Sequence, residues 1–334
     1  MSTTTLPTRT LPTSGLELTE LGFGAAVIGN LYRETSDEDA RAAVDAAWNA
    51  GIRYFDTAPH YGLGLSERRL GAALAGRPRG EFVVSSKVGR LLVPNEHPTE
   101  QDTEGFAVPG DVRRELDYSR DGVLRSIEAT LQRTGLDRID VVYVHDPDEH
   151  WQQAADEAMP ALAELRDQGV VGSIGAGMNQ SAMLARFLRE TAADVVMLAG
   201  RYTLLEQGSL DDVFPAAEES GGSVVAVGVF NSGLLSRDRP GPGAKFDYED
   251  APEELLRRAH AIADVCERHG TTLPAAAIAF PLAHPRVVNV TLGMRTAEQV
   301  RRNAELVGAT VPPAVWEELR AEGLLREDAP VPST

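Results

Sequence analysis

The sequence predicts a single-domain α/β protein with the (β/α)8 TIM-barrel fold, and three observations support this. From residue 21 onward, short β-rich runs alternate with amphipathic helical stretches, which is typical of repeated βα units around a parallel sheet. There are eight such runs, a number that suits a closed barrel better than an open sheet. The length of 334 residues is also within the range in which such barrels form one unit.

Eight β-rich runs are the predicted strands of this barrel, and a helical stretch follows each of them. In order, the strands span residues 21–28, 52–55, 82–86, 139–144, 171–176, 195–198, 224–227 and 287–291.

Capping signals delimit the helices. Thr35 and Glu38 have the spacing of a capping box, and Gly51 lies where a left-handed C-cap residue is expected, so we place the first helix at about residues 36–50. Later helical stretches end in the same way at Gly135, Gly169 and Gly270. The third helix has an apolar stripe that is expected to face the core, formed by Val123, Leu124, Ile127 and Leu131.

The two ends of the chain are expected to lie outside the repeated βα units. Residues 1–20 are predicted to form a short strand pair that closes one end of the barrel, and residues 311–334 a last helix and a Pro-rich tail. The domain spans residues 1–334 with a core at about 15–323, while 1–14 and 324–334 are expected to be flexible.

Two connections, residues 88–120 and 230–251, are longer than the usual loops of a compact domain. Such loops are usually functional lids or disordered linkers. Both follow predicted strands, and this places them on the C-terminal face of a barrel, where active sites are found.

Composition excludes several partners. The formal net charge is −18, from 50 acidic and 32 basic side chains, so most of the surface would repel a nucleic acid. No apolar run is long enough to span a membrane and the start lacks the layout of a secretory signal, so we expect a cytoplasmic protein.

Cys266 is predicted to be a buried, unreactive thiol. The seven histidines show no metal-ligand spacing, so no metal site is predicted. The oligomeric state stays open.

Four side chains with acid–base chemistry collect at the predicted strand ends. Asp56 ends the second strand and Tyr61 follows it in the loop, while Lys87 ends the third strand and His145 the fourth. Because the carboxyl ends of parallel barrel strands meet at one face, we expect these four residues to form a catalytic site.

Each of the four also has a purely structural interpretation. Asp56 could cap a helix or form a turn, Tyr61 could plug the barrel, and Lys87 could belong to a structural ion pair. His145 could be a hydrogen-bonded core residue. The combination favours catalysis, because a lysine at the end of a β-run is poorly solvated unless it has a specific partner.

The proposed chemistry centres on Tyr61. A free tyrosine has a pKa of about 10, and a nearby ammonium favours the phenolate. Lys87 would supply that charge and Asp56 would hold Lys87. In oxidation Tyr61 would remove the hydroxyl proton as a hydride leaves for a nicotinamide, and in reduction it would return a proton. His145 would orient the substrate oxygen or share the proton.

From about Leu21 to Leu306 the chain resembles the aldo/keto reductases. The matching motifs are Asp56-Thr57-Ala58 with Tyr61-Gly62, Ser66-Glu67, Leu70-Gly71, and the catalytic positions Lys87 and His145. The stretches Asp117-Tyr118-Ser119 and Arg138 to Asp148 resemble more narrowly the bacterial L-fucose or D-threo-aldose 1-dehydrogenase branch, which includes members similar to pyridoxal 4-dehydrogenase.

The resemblance implies a nicotinamide cofactor, NADP or NAD, lying across the barrel mouth, and no full Rossmann fingerprint is present. Asn179 would hold the carboxamide and Phe230 would stack on the nicotinamide, with Asn231, Ser232, Gly233 and Leu234 along the pyrophosphate. The remaining implied contacts are Gly24, Asp56 and, for the adenosine, Gly293, Met294, Arg295, Gln299 and Asn303.

The chain departs from the family pattern at three positions. Ala199 replaces an expected glutamine and Met178 an expected serine, which puts the carboxamide contacts in doubt. Gln299 stands where an arginine often grips the adenosine 2′-phosphate, which weakens the case for NADP. Arg295 is either a substitute for that arginine or a solvated surface charge.

The predicted substrate is a small polyol that contacts His60, Tyr61 and His145. The branch resemblance implies oxidation of the anomeric hydroxyl of an aldose such as L-fucose to its lactone. The alternatives are a pyridoxal dehydrogenase or a general aldehyde or ketone reductase. A cofactor-sensing regulatory subunit and a metal-dependent barrel isomerase are rivals from other classes, and the complete set of four residues argues against both.

Overall fold

The computed structural model describes residues 6–241, 243–246 and 249–332. Eight parallel strands in these residues close into a barrel, in which each strand pairs with the next along the chain and the last pairs with the first. The strands are Leu21–Gly24 (β1), Tyr54–Asp56 (β2), Val83–Val88 (β3), Val141–His145 (β4), Ser173–Met178 (β5), Val195–Ala199 (β6), Ser223–Val227 (β7) and Val287–Gly293 (β8). The predicted (β/α)8 barrel is confirmed.

Helices form the outer layer, and each barrel strand is followed by at least one. They span Asp37–Asn49, Leu65–Leu74, Arg120–Thr134, Trp151–Gln153, Met159–Asp167, Ser181–Glu190, Val213–Ser220, Glu253–Arg268, Leu273–Leu282, Ala297–Val307 and Pro313–Ala321. A π-helical turn at Ala154–Ala158 connects the fourth of these to the fifth. None of the helices among the described residues has the length and apolar character needed to cross a bilayer.

Side chains of the barrel strands alternate between the interior and the helical layer, as the pleat of a strand requires. On β3, Val83 packs in the interior cluster, whereas Val84 and Val88 pack in the outer core. Ser85 and Lys87 share the face of Val83. A side chain two residues before a site residue on the same strand, such as Ser85 before Lys87, therefore lies in the barrel interior beneath the site.

A hairpin closes the amino-terminal end of the barrel, as predicted for residues 1–20. Thr8–Thr10 pairs antiparallel with Glu17–Thr19. Leu11 and Leu18 are buried in the interior cluster, where they cover the first residues of several barrel strands. The barrel is thus plugged at the end opposite the strand termini that carry the candidate catalytic residues.

The ends of the chain differ from the predicted flexible segments. Leu11, Leu325 and Ala329 are buried, so the described parts of both ends pack on the body. Arg326 adds ion pairs to Asp211 at 2.7 Å. The rest of this prediction falls on residues 1–5 and 333–334, which lie outside the described residues.

Strand positions differ from the predicted ranges mainly in β2 to β5. These strands begin and end one or two residues later than predicted, so Asp56 and His145 are the last residues of their strands and Lys87 is the penultimate residue of its strand. The first run is the exception: only Leu21–Gly24 is a strand, and Ala25–Gly29 is a 3-10 turn. This apolar turn is buried, which explains its strand-like composition.

Two details of the helices were predicted incorrectly. The N-cap of the first helix is Ser36, whose hydroxyl accepts a hydrogen bond from the Asp39 amide at 3.0 Å, so the box lies one residue beyond Thr35. Leu124 is 39% exposed because the buried face of its helix follows Val123 and Ile127. The left-handed glycines at the predicted helix ends, Gly51 and Gly135 among them, are confirmed.

The two long connections have regular structure. Arg90–Thr99 pairs with Gly110–Leu116 as a β-hairpin, which we call the mouth hairpin. The second connection contains a short pair, Lys245–Phe246 with Glu249–Asp250, and its residues 242, 247 and 248 lie outside the described set. Cys266 is a free, buried thiol, as predicted, and burial raises its pKa to about 12.

Candidate active site

The four predicted catalytic residues meet at the carboxyl ends of β2, β3 and β4. Tyr61, Lys87 and His145 line one cavity of about 520 Å³, and Asp56 lies beneath Lys87. The barrel pleat produces this arrangement, because Asp56 and His145 end their strands and Lys87 is the penultimate residue of β3. The clustering expected from strand ends is therefore what the structure has.

Lys87 and Asp56 form a buried ion pair. The Lys87 ammonium donates to both carboxylate oxygens of Asp56 at 2.8 Å and to the carbonyl oxygen of Thr57 at 3.0 Å. Three donors therefore meet three acceptors, and both side chains are at most 5% exposed. Because removing one partner of a buried pair leaves an uncompensated charge, the pair keeps Lys87 charged and fixed.

Tyr61 lies beside this charge. The Lys87 Nζ atom is 4.7 Å from the centre of the Tyr61 ring, and the His145 ring is 6.0 Å away in an edge-on arrangement. The loop that carries Tyr61 is held by close backbone packing. A Cβ at Gly62 would lie 2.1 Å from the carbonyl oxygen of Gly29, so only glycine fits there, where φ is +62°.

The two histidines in the pocket are neutral. Burial lowers the pKa of His60 to about 3, with Arg114 and Arg90 adding to the shift. Burial also holds the pKa of His145 well below its ordinary value, and the Lys87 charge acts in the same direction. Neutral imidazole can donate and accept one hydrogen bond each, so both rings can orient a substrate oxygen without adding charge.

The mouth hairpin supplies a charged wall that sequence analysis missed. Arg90 contacts Asp146 at 3.0 Å and Glu104 at 3.5 Å, and the Glu104 carboxylate is also 3.2 Å from Arg114. Glu104 and Asp146 both line the cavity, together with Phe106. Glu104 and Phe106 belong to the connection at residues 88–120, which was predicted to be a long loop on the C-terminal face, and the connection lies on that face. The available signal was the group of acids between Arg90 and Arg113-Arg114, which the search for barrel motifs did not use.

One side of the cavity has the shape that a flat ring needs. Gly177, Ala199 and Gly228 line it with small residues, and Asn179 lies next to them. Phe230 is partly buried against the core. These residues fit a nicotinamide, since they leave space for the ring and offer one amide side chain. The expected glutamine and serine are absent here, at Ala199 and Met178.

The predicted pyrophosphate segment is a tight turn. Asn231, Ser232 and Gly233 all have positive φ values. The Asn231 amide side chain donates to the carbonyl oxygen of Gly200 at 3.2 Å, and Leu234 is buried in the core. The backbone amides of Asn231, Gly233 and Leu234 donate within the turn. A second cavity of about 280 Å³ lies beside it, lined by Ser232 and two cationic side chains, Arg237 and Lys245.

The adenosine end differs from the expectation for Arg295. Its guanidinium donates to the carbonyl oxygens of Leu31 at 2.6 Å and Arg33 at 3.0 Å, and also to Thr35. The Arg295 backbone amide donates to the Gln299 side chain at 2.7 Å. The Arg295 guanidinium, which sequence analysis considered for a 2′-phosphate, is therefore engaged with the protein. Gly24 and Gly293 are paired neighbours on β1 and β8, and Asn303 is buried nearby on its helix.

No group of three or more His, Cys, Asp or Glu side chains capable of holding a metal ion occurs in residues 6–241, 243–246 and 249–332.

Comparison with known proteins places this site in a family. The model of the aldo/keto reductase family matches residues 20–322. A D-threo-aldose 1-dehydrogenase from a Pseudomonas species is 48% identical over 316 residues, covering 93% of this chain and 96% of that protein. A pyridoxal 4-dehydrogenase from Microbacterium luteolum is 39% identical over 335 residues, covering 95% and 97%.

A solved structure supports the same assignment. The holo form of an aldo-keto reductase from Bacillus halodurans superimposes with a TM-score of 0.73 at 27% identity, covering 98% of this chain and 99% of that one. Both the predicted family and the predicted branch are confirmed by these relatives. The chain belongs to the aldo/keto reductase family and is an oxidoreductase that uses a nicotinamide cofactor.

Proposed function

We propose that this chain, acting as one barrel domain, oxidises the anomeric hydroxyl of an aldose of the L-fucose or D-threo-aldose type to its lactone. The observation that carries the proposal is the buried Lys87 ammonium, paired with Asp56 and 4.7 Å from the centre of the Tyr61 ring. The relative that is 48% identical, named D-threo-aldose 1-dehydrogenase, supports an aldose as the substrate class. When bound, the nicotinamide accepts the hydride that leaves the anomeric carbon.

Tyr61 is the general base of this proposal. Its phenolate takes the proton of the anomeric hydroxyl as the carbon–oxygen double bond forms, and in reduction the phenol returns it. The charge of Lys87 favours the phenolate, since an opposite charge within a few ångströms stabilises an ionised group. Asp56 keeps this charge in position rather than reaching the substrate.

His145 and His60 position the substrate oxygen. Burial lowers the pKa of both rings, so they are neutral and weakly basic, and they do not compete with Tyr61 for the hydroxyl proton. The carbonyl oxygen of His145 accepts a hydrogen bond from the Tyr118 hydroxyl at 2.8 Å, which fixes the end of β4. A ring held in this way can direct one hydrogen bond at a substrate oxygen.

The charged wall of the cavity favours a substrate with several hydroxyl groups. Glu104 and Asp146 carry carboxylates that accept hydrogen bonds from hydroxyls, and Arg90 joins them. A simple aldehyde would leave these groups without a ligand partner. Pyridoxal oxidation is the second candidate, because a relative named for it is 39% identical and because Phe106 offers an aromatic surface in the same cavity.

For the cofactor, we propose Asn179 at the carboxamide, Phe230 at the ring, and Ser232 and Gly233 near the pyrophosphate. Gly24, Gly293 and Asn303 would line the adenosine half. We further propose a preference for NAD. The Arg295 guanidinium is not available to a 2′-phosphate, because it already donates to Leu31, Arg33 and Thr35.

The assignment is tested by following cofactor reduction at 340 nm with NAD and NADP separately over a panel of aldoses, pyridoxal and simple alcohols. We expect turnover with aldoses and NAD. Tyr61→Phe should reduce kcat by about 100-fold or more, since general acid–base catalysis contributes on that scale, while the affinity for the cofactor should persist. Undiminished aldose turnover in Tyr61→Phe would contradict the proposal.

The cofactor preference has its own test in Arg295→Ala. We expect the affinities for NAD and NADP to fall by the same factor, because the variant loosens the loop at residues 31–35 rather than removing a phosphate contact. Arg301→Ala, an exposed arginine on the next helix, is the control and should change neither affinity. A loss confined to NADP would show that Arg295 reads the 2′-phosphate.

A further inference from the structure

Three hydroxyl side chains lie inside the barrel beneath the catalytic ion pair: Tyr143, Tyr54 and Ser85. We infer that they form a one-way chain of hydrogen bonds that ends on Asp56 and promotes ionisation of the acid–base tyrosine through the ion pair. This inference rests on the proposed function, and it assigns these three as positioning residues.

The distances define a continuous path. The Ser85 hydroxyl donates to Oδ1 of Asp56 at 2.8 Å, and the Tyr54 hydroxyl donates to Ser85 Oγ at 2.9 Å. The Tyr54 and Tyr143 hydroxyl oxygens are 3.2 Å apart. The strands explain this path, because each of these residues lies two positions before a residue of the site on its own strand, facing the same side.

The direction of every bond follows from the number of protons. The Asp56 carboxylate is ionised by its pairing with Lys87, so it can only accept. Ser85 must therefore give its one proton to Asp56, which obliges it to accept from Tyr54. Tyr54 has then used its own proton, so Tyr143 must donate to it. Hydrogen bonds aligned in this way polarise one another.

Burial keeps the chain intact. All three hydroxyl residues are at most 2% exposed, so bulk water does not compete for them. Burial raises the pKa of Tyr54, and Asp56 raises it further; burial also holds the pKa of Tyr143 well above its usual value. Both phenols therefore stay protonated, and they remain donors at any pH at which the enzyme works.

The effect on Tyr61 has a defined sign. The positive ends of the hydroxyl dipoles point toward Asp56 and offset part of its negative charge. The positive charge of Lys87 is then less neutralised by Asp56 and stabilises the Tyr61 phenolate more strongly. Removing a donor should make the phenolate less favourable. The other titratable groups around Tyr61 are the neutral His60 on its own loop, His145 on β4, and Asp146, which follows β4, lines the same cavity and pairs with Arg90 at 3.0 Å.

Beyond these, the mouth hairpin carries three charged side chains on the far side of the pocket, Arg90, Glu104 and Arg114. None of the variants proposed below touches them. Their contribution to the Tyr61 environment is therefore the same in the variants and in the wild type, and differences between the profiles report on the interior chain.

The test compares Ser85→Ala, Tyr54→Phe and Tyr143→Phe with two matched controls. Ser173→Ala removes an equally buried barrel serine whose hydroxyl bonds to Ser14, and Tyr202→Phe removes a buried phenol with no hydrogen-bond partner among the described residues. Two readouts are used: the pH profile of kcat for aldose oxidation, and the tyrosinate absorbance of the cofactor-free protein, from which the titration of Tyr61→Phe is subtracted.

We expect the midpoint of both curves to move to higher pH by about half a unit to one unit in Ser85→Ala. This is less than the roughly one to two units of a hydrogen bond made directly to a charged group, because the effect reaches Tyr61 only through Asp56 and Lys87. The shift should be smaller in Tyr54→Phe, smallest in Tyr143→Phe and absent in the controls, with KM little changed. Tyr54→Phe keeps the ring, so it tests the chain even if Ser85→Ala folds poorly. Equal midpoints in all folded variants would overturn the inference.

The two proposals fail in different ways. If the wild type shows no turnover that depends on Tyr61, the proposed function fails, yet the absorbance titration still measures whether Ser85 affects the ionisation of Tyr61. If turnover depends on Tyr61 but neither curve moves in Ser85→Ala, the chain has no positioning role and the proposed function stands.

Discussion

In the proposed mechanism Lys87 and Asp56 contribute to both stability and catalysis, and substitutions can separate the two contributions. Lys87→Met leaves the Asp56 carboxylate buried without its partner, so we expect the free energy of unfolding to fall by about 3–5 kcal/mol. In Lys87→Met combined with Asp56→Asn, no buried charge remains, so most of this loss should be recovered. Aldose oxidation should stay impaired in both variants, because the charge beside Tyr61 is gone in each.

Urea unfolding and steady-state kinetics on the two proteins measure these effects. A double variant that regained activity together with stability would show that Lys87 has only a structural role. This is the interpretation that sequence analysis left open for a lysine at a strand end.

The neutral histidines predict how stability depends on pH. An unfolded histidine binds a proton near pH 6.5, whereas burial lowers the pKa of folded His60 to about 3, that of His284 to about 4 and that of His145 well below its ordinary value. The unfolded chain therefore takes up more protons as the pH falls. The free energy of unfolding should decrease between about pH 6.5 and about pH 4, by about 1 kcal/mol per unit and histidine.

Urea midpoints measured across this range test the prediction. The slope should flatten in His60→Gln, which removes one of the three histidines with a lowered pKa, and stay as in the wild type in His97→Gln, since His97 is exposed on the mouth hairpin. An unchanged slope in His60→Gln would mean that this ring is protonated in the folded protein.

Sequence analysis found the residues whose chemistry is unusual for their place and missed those whose role depends on the fold. A lysine and a histidine at the ends of strands were recognisable because charge is costly there. Ser85, Tyr54 and Glu104 were not, since a serine or tyrosine in a strand is ordinary and Glu104 reaches the pocket only through the pairing of the mouth hairpin.

Among the elements, we expect the mouth hairpin to have the most direct effect on substrate binding, because residues of its turn line the cavity. Arg114 forms a buried ion pair with Asp102 at 2.6 Å, and it donates to the carbonyl oxygen of His60 at 2.9 Å. These contacts fix the turn that carries Glu104 and Phe106 against the loop that carries Tyr61. The ion pair of Arg114 and Asp102 thus shapes one wall of the cavity, although neither side chain lines it.

Arg114→Met should therefore raise KM for the aldose by about 10-fold or more, the equivalent of one lost charge-assisted contact, and lower kcat much less. Arg113→Met is the matched control, because Arg113 is half-exposed and its pair, Glu115, lies on the same strand. Kinetics on both variants test this. An Arg114 variant with unchanged KM would show that the turn keeps its position without the ion pair.

The hairpin also shows where prediction from sequence stops. Its position on the catalytic face followed from the strand before it, but its pairing did not. Pro94 and the acidic residues that follow it interrupt the alternation of apolar and polar residues that predicts a strand. The pairing register also shifts between Pro94 and Thr99. The hairpin is not part of a βα unit, so the alternation of strands and helices that predicts the barrel does not reveal it.

At the scale of the whole molecule, the barrel was predictable because its strands are buried on both faces and read as apolar runs at regular spacing. Their exact ends were not, since apolar residues continue into buried turns such as Ala25–Gly29. The result is a division of the barrel: charged and titratable groups at the carboxyl ends, and an apolar plug at the amino ends.

That division predicts that damage to the plug should reduce stability and spare the chemistry. Leu18 is completely buried among the first residues of the barrel strands. Leu18→Ala should lower the free energy of unfolding by about 2–5 kcal/mol, the range for a large buried side chain that leaves a cavity. Leu124→Ala, at a 39% exposed leucine, should cost far less.

At temperatures where both variants are folded, their kcat and KM for aldose oxidation should match the wild type, because the site lies at the opposite end of the barrel. Thermal unfolding and kinetics on the same samples test this, and a fall in kcat in folded Leu18→Ala would show that packing at the plug extends to the catalytic layer.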